Sequence, residues 1–173
     1  MEIVRATGED YERVRSFYHS LIDGMRTSPY EIGWEKDIYP APGFLRESIA
    51  AGELYVCLED GVIVSCMVLN HECNESYGEF DWQTEATADE ITVIHALGVH
   101  PAFGRKGYGR AMVRKAFEIA AANHQKAIRL DVLKNNDPAK RLYTGMGFKY
   151  MASLRMYYED TGWTDFDLYE YLL

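Results

Sequence analysis

Apolar and polar positions follow two different periods along this chain, and the places where one gives way to the other mark its elements. Tyr11, Val14, Phe17, Tyr18, Leu21, Ile22 and Met25 recur every three or four residues, as in a helix with one buried face. That helix starts at Thr7 or Gly8, after a short strand at 2–6. A second short helix is predicted over 44–51, stopped near Gly52. Residues 54–58 and 62–69 read as two strands with Glu59-Asp60-Gly61 as their hairpin turn. Residues 71–89 are polar and weakly patterned, a long loop with some strand character near Phe80 and Trp82. Residues 91–99 are apolar almost throughout, which suits a central strand. The clearest helix covers 108–123, with Met112, Ala116, Ile119 and Ala120 inward and Arg110, Arg114, Lys115 and Glu118 outward. Another buried strand follows at 127–133. Asp137 then caps a helix with Pro138 at its first position, ending near Gly145 or Gly147. Two last strands, at 148–158 and 166–172, flank a turn around Asp160-Thr161-Gly162.

The order β-α-α-β-β-β-α-β-α-β-β predicts a mixed α+β (α/β) fold, with helices on both faces of one sheet. The 173 residues show no repeat, linker or low-complexity stretch, so a single domain over 1–173 is expected. An apolar share of 47% supports a packed core. No apolar run approaches the ~20 residues that span a bilayer, and the first residues lack a signal-peptide pattern. Cys57, Cys66 and Cys73 form no CxxC and fit a reducing cytoplasm. No His/Cys cluster has zinc spacing, so no metal is expected. A net charge of −9 disfavours nucleic acid and favours a cationic or neutral small molecule.

One segment runs against that acidic background. Leu97 to Ala111 reads LGVHPAFGRKGYGRA, a strand end followed by a glycine-rich turn and the start of a helix. Gly107 and Gly109 let the backbone turn tightly and approach a ligand. The first amides of the helix have no internal partner and, with the helix dipole, suit a phosphate or pyrophosphate. Arg105, Lys106 and Arg110 add positive charge. The same features also fit a plain strand–turn–helix connection with exposed basic residues. The loop is neither a GxxxxGK[ST] phosphate loop nor a GxGxxG dinucleotide turn.

A second motif lies one strand downstream: NNDPAKRLYTGMGF at 135–148. The LGV–P–GxG–helix segment, a strand, and then N-x-x-A-x-x-x-Y-x-x-x-G-F together resemble the GNAT superfamily of acyl-CoA-dependent N-acyltransferases. The motifs cover 91–148, and the flanking element order agrees over nearly the whole chain. The resemblance implies a mixed, largely antiparallel sheet of about seven strands, splayed at residues 91–99. It implies acetyl-CoA as co-substrate, with the pantetheine arm along Leu97, Gly98 and Val99. The pyrophosphate would lie on the amides of Arg105, Lys106, Gly107, Tyr108, Gly109 and Arg110. Asn136 matches an asparagine near the pantetheine, and Tyr143 the tyrosine that protonates the departing thiolate. The family's Gln/Arg at the loop's first position is here Gly104, with Arg105 one place later.

Read by itself, Tyr143 fits a core tyrosine beside Leu142 and Phe148; the resemblance makes it the acid. His95, on the strand that would line the site, has the pKa range of a base at neutral pH. The other reading is a buried histidine bonded to backbone, with Glu90 as the fallback base acting through a water chain. Trp34 and Tyr39 would form an aromatic acceptor wall, with Glu31, Glu35 or Asp37 drawing an ammonium group; the same residues fit surface packing in an acidic loop. The expected activity is acetyl transfer to a primary amine of a small molecule or amino-acid-like acceptor. The alternative is a non-catalytic acyl-CoA sensor of the same fold. A second copy of the chain stays open as a partner.

Overall fold

A computed structural model describes residues 1–173. Seven strands form one sheet in the order β1-β2-β3-β4-β5-β7-β6: β1 Glu2–Arg5, β2 Leu54–Glu59, β3 Val62–Asn70, β4 Ile91–Val99, β5 Ala127–Leu133, β6 Lys149–Tyr158 and β7 Gly162–Leu172. All neighbours are antiparallel except β4 and β5. The helices are α1 Tyr11–Met25, α2 Pro42–Ala50, α3 Tyr108–Ala122 and α4 Asp137–Gly145. None is long and apolar enough to cross a membrane.

Period-2 alternation in β2 explains why helices cover both faces. Leu54 and Val56 turn toward α1 and α2, where they meet Val14, Phe17, Leu21, Leu45 and Ile49. Tyr55 and Cys57 turn the other way, toward Met112, Val113, Ala116 and Ala120 of α3. The helical stripe predicted for the first helix is the stripe buried here. The mixed sheet with helices on both faces is the architecture expected from the element order.

Four local expectations need correction. A 3-10 turn at Gly8–Asp10 precedes α1, because Asp10 folds back on Thr7 and its Oδ2 accepts from the Thr7 amide at 2.9 Å. Asn136, not Asp137, caps α4: its Oδ1 accepts from the Ala139 amide at 3.3 Å. No strand forms near Phe80 and Trp82. Instead a 3-10 turn at Glu75–Glu79 is held by Trp82, whose Nε1 donates to the Tyr77 carbonyl at 2.8 Å. Strand β7 starts at Gly162, four residues before the apolar stretch, because Trp163, Thr164 and Asp165 pair with the outermost strand β6. Edge pairing needs no apolar pattern, so periodicity does not report it.

Candidate active site

The parallel pairing of β4 and β5 covers only Ile91↔Ala127, Thr92↔Ile128 and Val93↔Arg129. Beyond Val93 the strands separate, and that edge of β4 has no strand partner. A bulge accompanies the opening. Cys66 pairs with Gly98 and Val68 with His95, so β4 carries one residue more than β3 across this interval. Ala96 takes a left-handed φ of 49° there, and its carbonyl accepts from the buried Tyr18 hydroxyl at 2.8 Å. A bulge bends the strand and re-aims its side chains. A regular repeat of apolar residues does not announce one.

The mouth of the splay holds the glycine loop. Gly107, with φ 86°, occupies the cap position of α3, and no side chain bonds the first amides of that helix. Those amides face outward as anion donors. Arg105, Lys106 and Arg110 are exposed around them. Tyr108 contributes only its backbone, since its side chain is buried in the core. Gly109 lies tight against Leu142, and a Cβ there would sit 3.1 Å from that side chain. Gly98 is glycine for packing: a Cβ would come within 2.6 Å of Leu21 and 3.2 Å of Trp34. Its carbonyl is taken by the Ser65 hydroxyl at 2.7 Å.

Between the separated strands lies a cavity of ≈ 130 Å³, walled mainly by apolar side chains. It brings together Trp34, Tyr39, His95, Leu97, Asn136 and Tyr143, six of the residues singled out in the sequence. Val99 and the 105–110 loop lie outside this wall, toward the mouth. His95 Nε2 donates to the Glu72 carbonyl at 2.9 Å, so the neutral ring keeps its lone pair on Nδ1. Desolvation lowers the His95 pKa, against a smaller opposing pull from Asp131. Tyr143 is buried edge-on to Phe148, with ring centroids 5.4 Å apart. Burial pushes its phenol well above the ordinary range, so it stays protonated. No protein group bonds its hydroxyl, yet no buried side-chain polar atom is left unpaired. That hydroxyl therefore opens into the cavity. Asn136 spends its carbonyl oxygen on the α4 cap, which leaves its amide hydrogens to donate.

Other candidates are drawn away. Glu90 pairs with Lys126 at 2.8 Å and folds onto the Thr87 amide, outside the cavity. Asp37 accepts from both Arg15 and His19, which hold its carboxyl down at about 2. Sequence reading missed Asp131 and Tyr158, which also line the cavity. Tyr77 and Tyr158 both donate to Asp131 Oδ2, at 2.8 and 2.7 Å. The available signal was a lone carboxylate inside the apolar run AIRLDVL. The tyrosines gave none, because their partner is 54 and 27 residues away in sequence.

A seven-stranded sheet split between its fourth and fifth strands, with a helix N-terminus at the mouth of the split, is the architecture that the GNAT resemblance implied. The comparisons agree. The acetyltransferase (GNAT) family matches residues 15–148, and the chain belongs to that family. It is 33% identical over 69 residues to the N-alpha-acetyltransferase RimI of Mycobacterium tuberculosis strain H37Rv. That match spans 40% of this chain and 42% of the relative. Among solved structures, a GNAT-family acetyltransferase of Streptococcus agalactiae superposes with a TM-score of 0.80 at 15% identity, over 99% of this chain and 95% of the other. The yncA protein of Salmonella typhimurium, solved with its cofactor acetyl-CoA, gives a TM-score of 0.69 at 18% identity, over 100% of this chain and 94% of the other.

Proposed function

We propose that the protein transfers the acetyl group of acetyl-CoA to a primary amine of a small molecule, by direct attack while both substrates are bound. The observation that carries this reading is the single cavity in the β4–β5 splay, which holds His95 and Tyr143 on one space. The free edge of β4 at Leu97–Val99 would pair with the pantetheine arm. The outward amides of α3, with Arg105, Lys106 and Arg110, would take the pyrophosphate. Asn136 would donate to the arm through its amide.

Aminolysis of a thioester needs a neutral amine close to the carbonyl and a protonated leaving thiol. Holding both substrates in attack geometry supplies much of the acceleration. His95, kept neutral by desolvation, removes the amine proton through Nδ1. Tyr143, kept protonated by burial, presents its hydroxyl to the sulfur as negative charge develops there. A sensor of acyl-CoA would need neither group.

Thiol release from acetyl-CoA, measured against a panel of primary amines, tests this directly. Amine-dependent release is the expected result. Binding of acetyl-CoA with no release on any amine would give the site to a sensor instead.

A further inference from the structure

We infer that Asp131 anchors the acceptor's ammonium group, and that the acceptor is a small cationic amine with no carboxylate beside that amine. This deepens the acetyl-transfer reading above and rests on it.

Asp131 sits in mid-strand between Leu130 and Val132, which are 1% and 5% exposed. Its Oδ2 is saturated by the Tyr77 and Tyr158 hydroxyls. Its Oδ1 has no protein partner, and no buried side-chain polar atom is left unpaired, so Oδ1 opens into the cavity. Two hydroxyls on one oxygen, from the 71–90 loop and from β6, fix the plane of the carboxylate and aim the other oxygen. A carboxylate in an apolar wall is costly unless a cation meets it. The protein supplies no permanent one: His95 faces Asp131 across the cavity, but desolvation favours its neutral ring. No lysine or arginine lines the cavity. Arg129, two residues earlier on the same strand, is committed to Glu170 at 2.8 Å, to the Thr84 carbonyl and to the face of Trp82. The missing cation is one that the acceptor would bring: it enters as ammonium against Oδ1, gives one proton to His95 Nδ1 and attacks as the neutral amine.

The same wall selects against amino acids. Asp160 is a second carboxylate in it, held by backbone amides of its own turn. An α-carboxylate beside the reacting amine would face Asp131 and Asp160 with no guanidinium or ammonium to receive it, a repulsive device for specificity. The rest of the pocket suits an apolar body. Trp34, Tyr39 and His95 line it, and Phe44, outside the wall, joins them into a continuous row of ring contacts with centroids 5.8 to 6.2 Å apart.

The test uses matched amines that differ only by the carboxylate: phenethylamine against phenylalanine, and isopentylamine against leucine. Steady-state kinetics would be measured on the whole chain, as wild type, Asp131→Asn and Tyr77→Phe. The expected result is kcat/KM at least about a hundredfold higher for the decarboxylated member of each pair. Asp131→Asn should raise the amine KM about tenfold or more with the acetyl-CoA KM unchanged. Tyr77→Phe, which only loosens the anchor, should raise it less. Amino acids used as well as their amines would overturn the inference. So would an Asp131→Asn protein with an unchanged amine KM, or one in which kcat alone falls, which would make Asp131 a proton-transfer group. Thiol release on no amine at all, with acetyl-CoA still bound, would remove the acetyl-transfer reading and the anchor together.

Discussion

The bond from His95 Nε2 to the Glu72 carbonyl fixes which nitrogen is left to accept a proton, and burial decides when it can. Desolvation lowers the His95 pKa from its ordinary 6.5, so more of the ring is neutral at any given pH. The acidic limb of kcat/KM should therefore fall below pH 6.5, with the rate rising through it and then levelling. In His95→Ala that limb should vanish; a limb that stays in place in a pH–rate profile would assign it to the amine or to another group. Tyr143→Phe removes only a hydroxyl that no protein group uses. It should leave acetyl-CoA affinity intact and lower kcat about a hundredfold or more. A turnover number that does not change, with chemistry rate-limiting, would end the acid role. Asp131 carries a stability consequence as well. Burial raises its pKa above 3.8, so the fold favours the protonated carboxyl. The associated stability is present at low pH and lost as pH rises through the folded-state value. Asp131→Asn should then melt at or above the wild-type temperature at pH 7, with the difference shrinking toward pH 3. A clear loss of stability at pH 7 would mean that the charge is compensated inside the protein.

At the scale of elements, β4 and α3 make the candidate site together. The splay depends on the bulge at Ala96, and the Tyr18 hydroxyl holds that carbonyl. Tyr18→Phe leaves it unpaired in the core, at a cost of about 1–3 kcal/mol. Loss of both melting temperature and amine turnover is expected, and a variant unchanged in both would show that the bulge needs no such support. In the proposed site the N-terminus of α3 would act through charge as well as amides. Arg105→Glu combined with Lys106→Glu should weaken acetyl-CoA binding about tenfold at low salt, and less at ~1 M, where the Debye length is only ~3 Å. Both side chains are exposed, so the melting temperature should not move. Calorimetry showing equal affinity would displace the pyrophosphate from this loop.

Across the whole molecule, the polar stretch at 71–90 works as a clasp. Glu72 holds His95, and Tyr77 holds Asp131. Asn74 donates to the Tyr157 carbonyl at 3.1 Å, and Gln83 to Glu170 at 2.9 Å. The clasp is fastened by Arg129, which joins the Thr84 carbonyl, the Trp82 ring and the fully buried Glu170. Removing one partner of a buried ion pair costs about 3–5 kcal/mol, because the other charge stays buried. Arg129→Met should lower the melting temperature on the order of 10 °C. Arg129→Met with Glu170→Gln should recover part of that loss. If the single variant melts like the wild type, the pair does not hold the clasp.

The sequence by itself determined what repeats locally. The stripe from Tyr11 to Met25, the runs at 91–99 and 127–133, and the α3 pattern each bury one face or both, and burial leaves a period that one dimension can show. The family resemblance of the two motifs pointed to Tyr143, Asn136 and the glycine loop, and the fold brings Tyr143 and Asn136 onto one cavity. Only the tertiary structure decided the rest. The bulge at Ala96 depends on a tyrosine 78 residues away. The clasp has no periodicity, since its backbone is satisfied by side chains and 3-10 turns instead of a ladder. Asp131 reads as an oddity inside an apolar strand until Tyr77 and Tyr158 arrive from two other segments to orient it. A carboxylate acquires a role from the groups that share its low-dielectric space, and that neighbourhood exists only once the chain has folded.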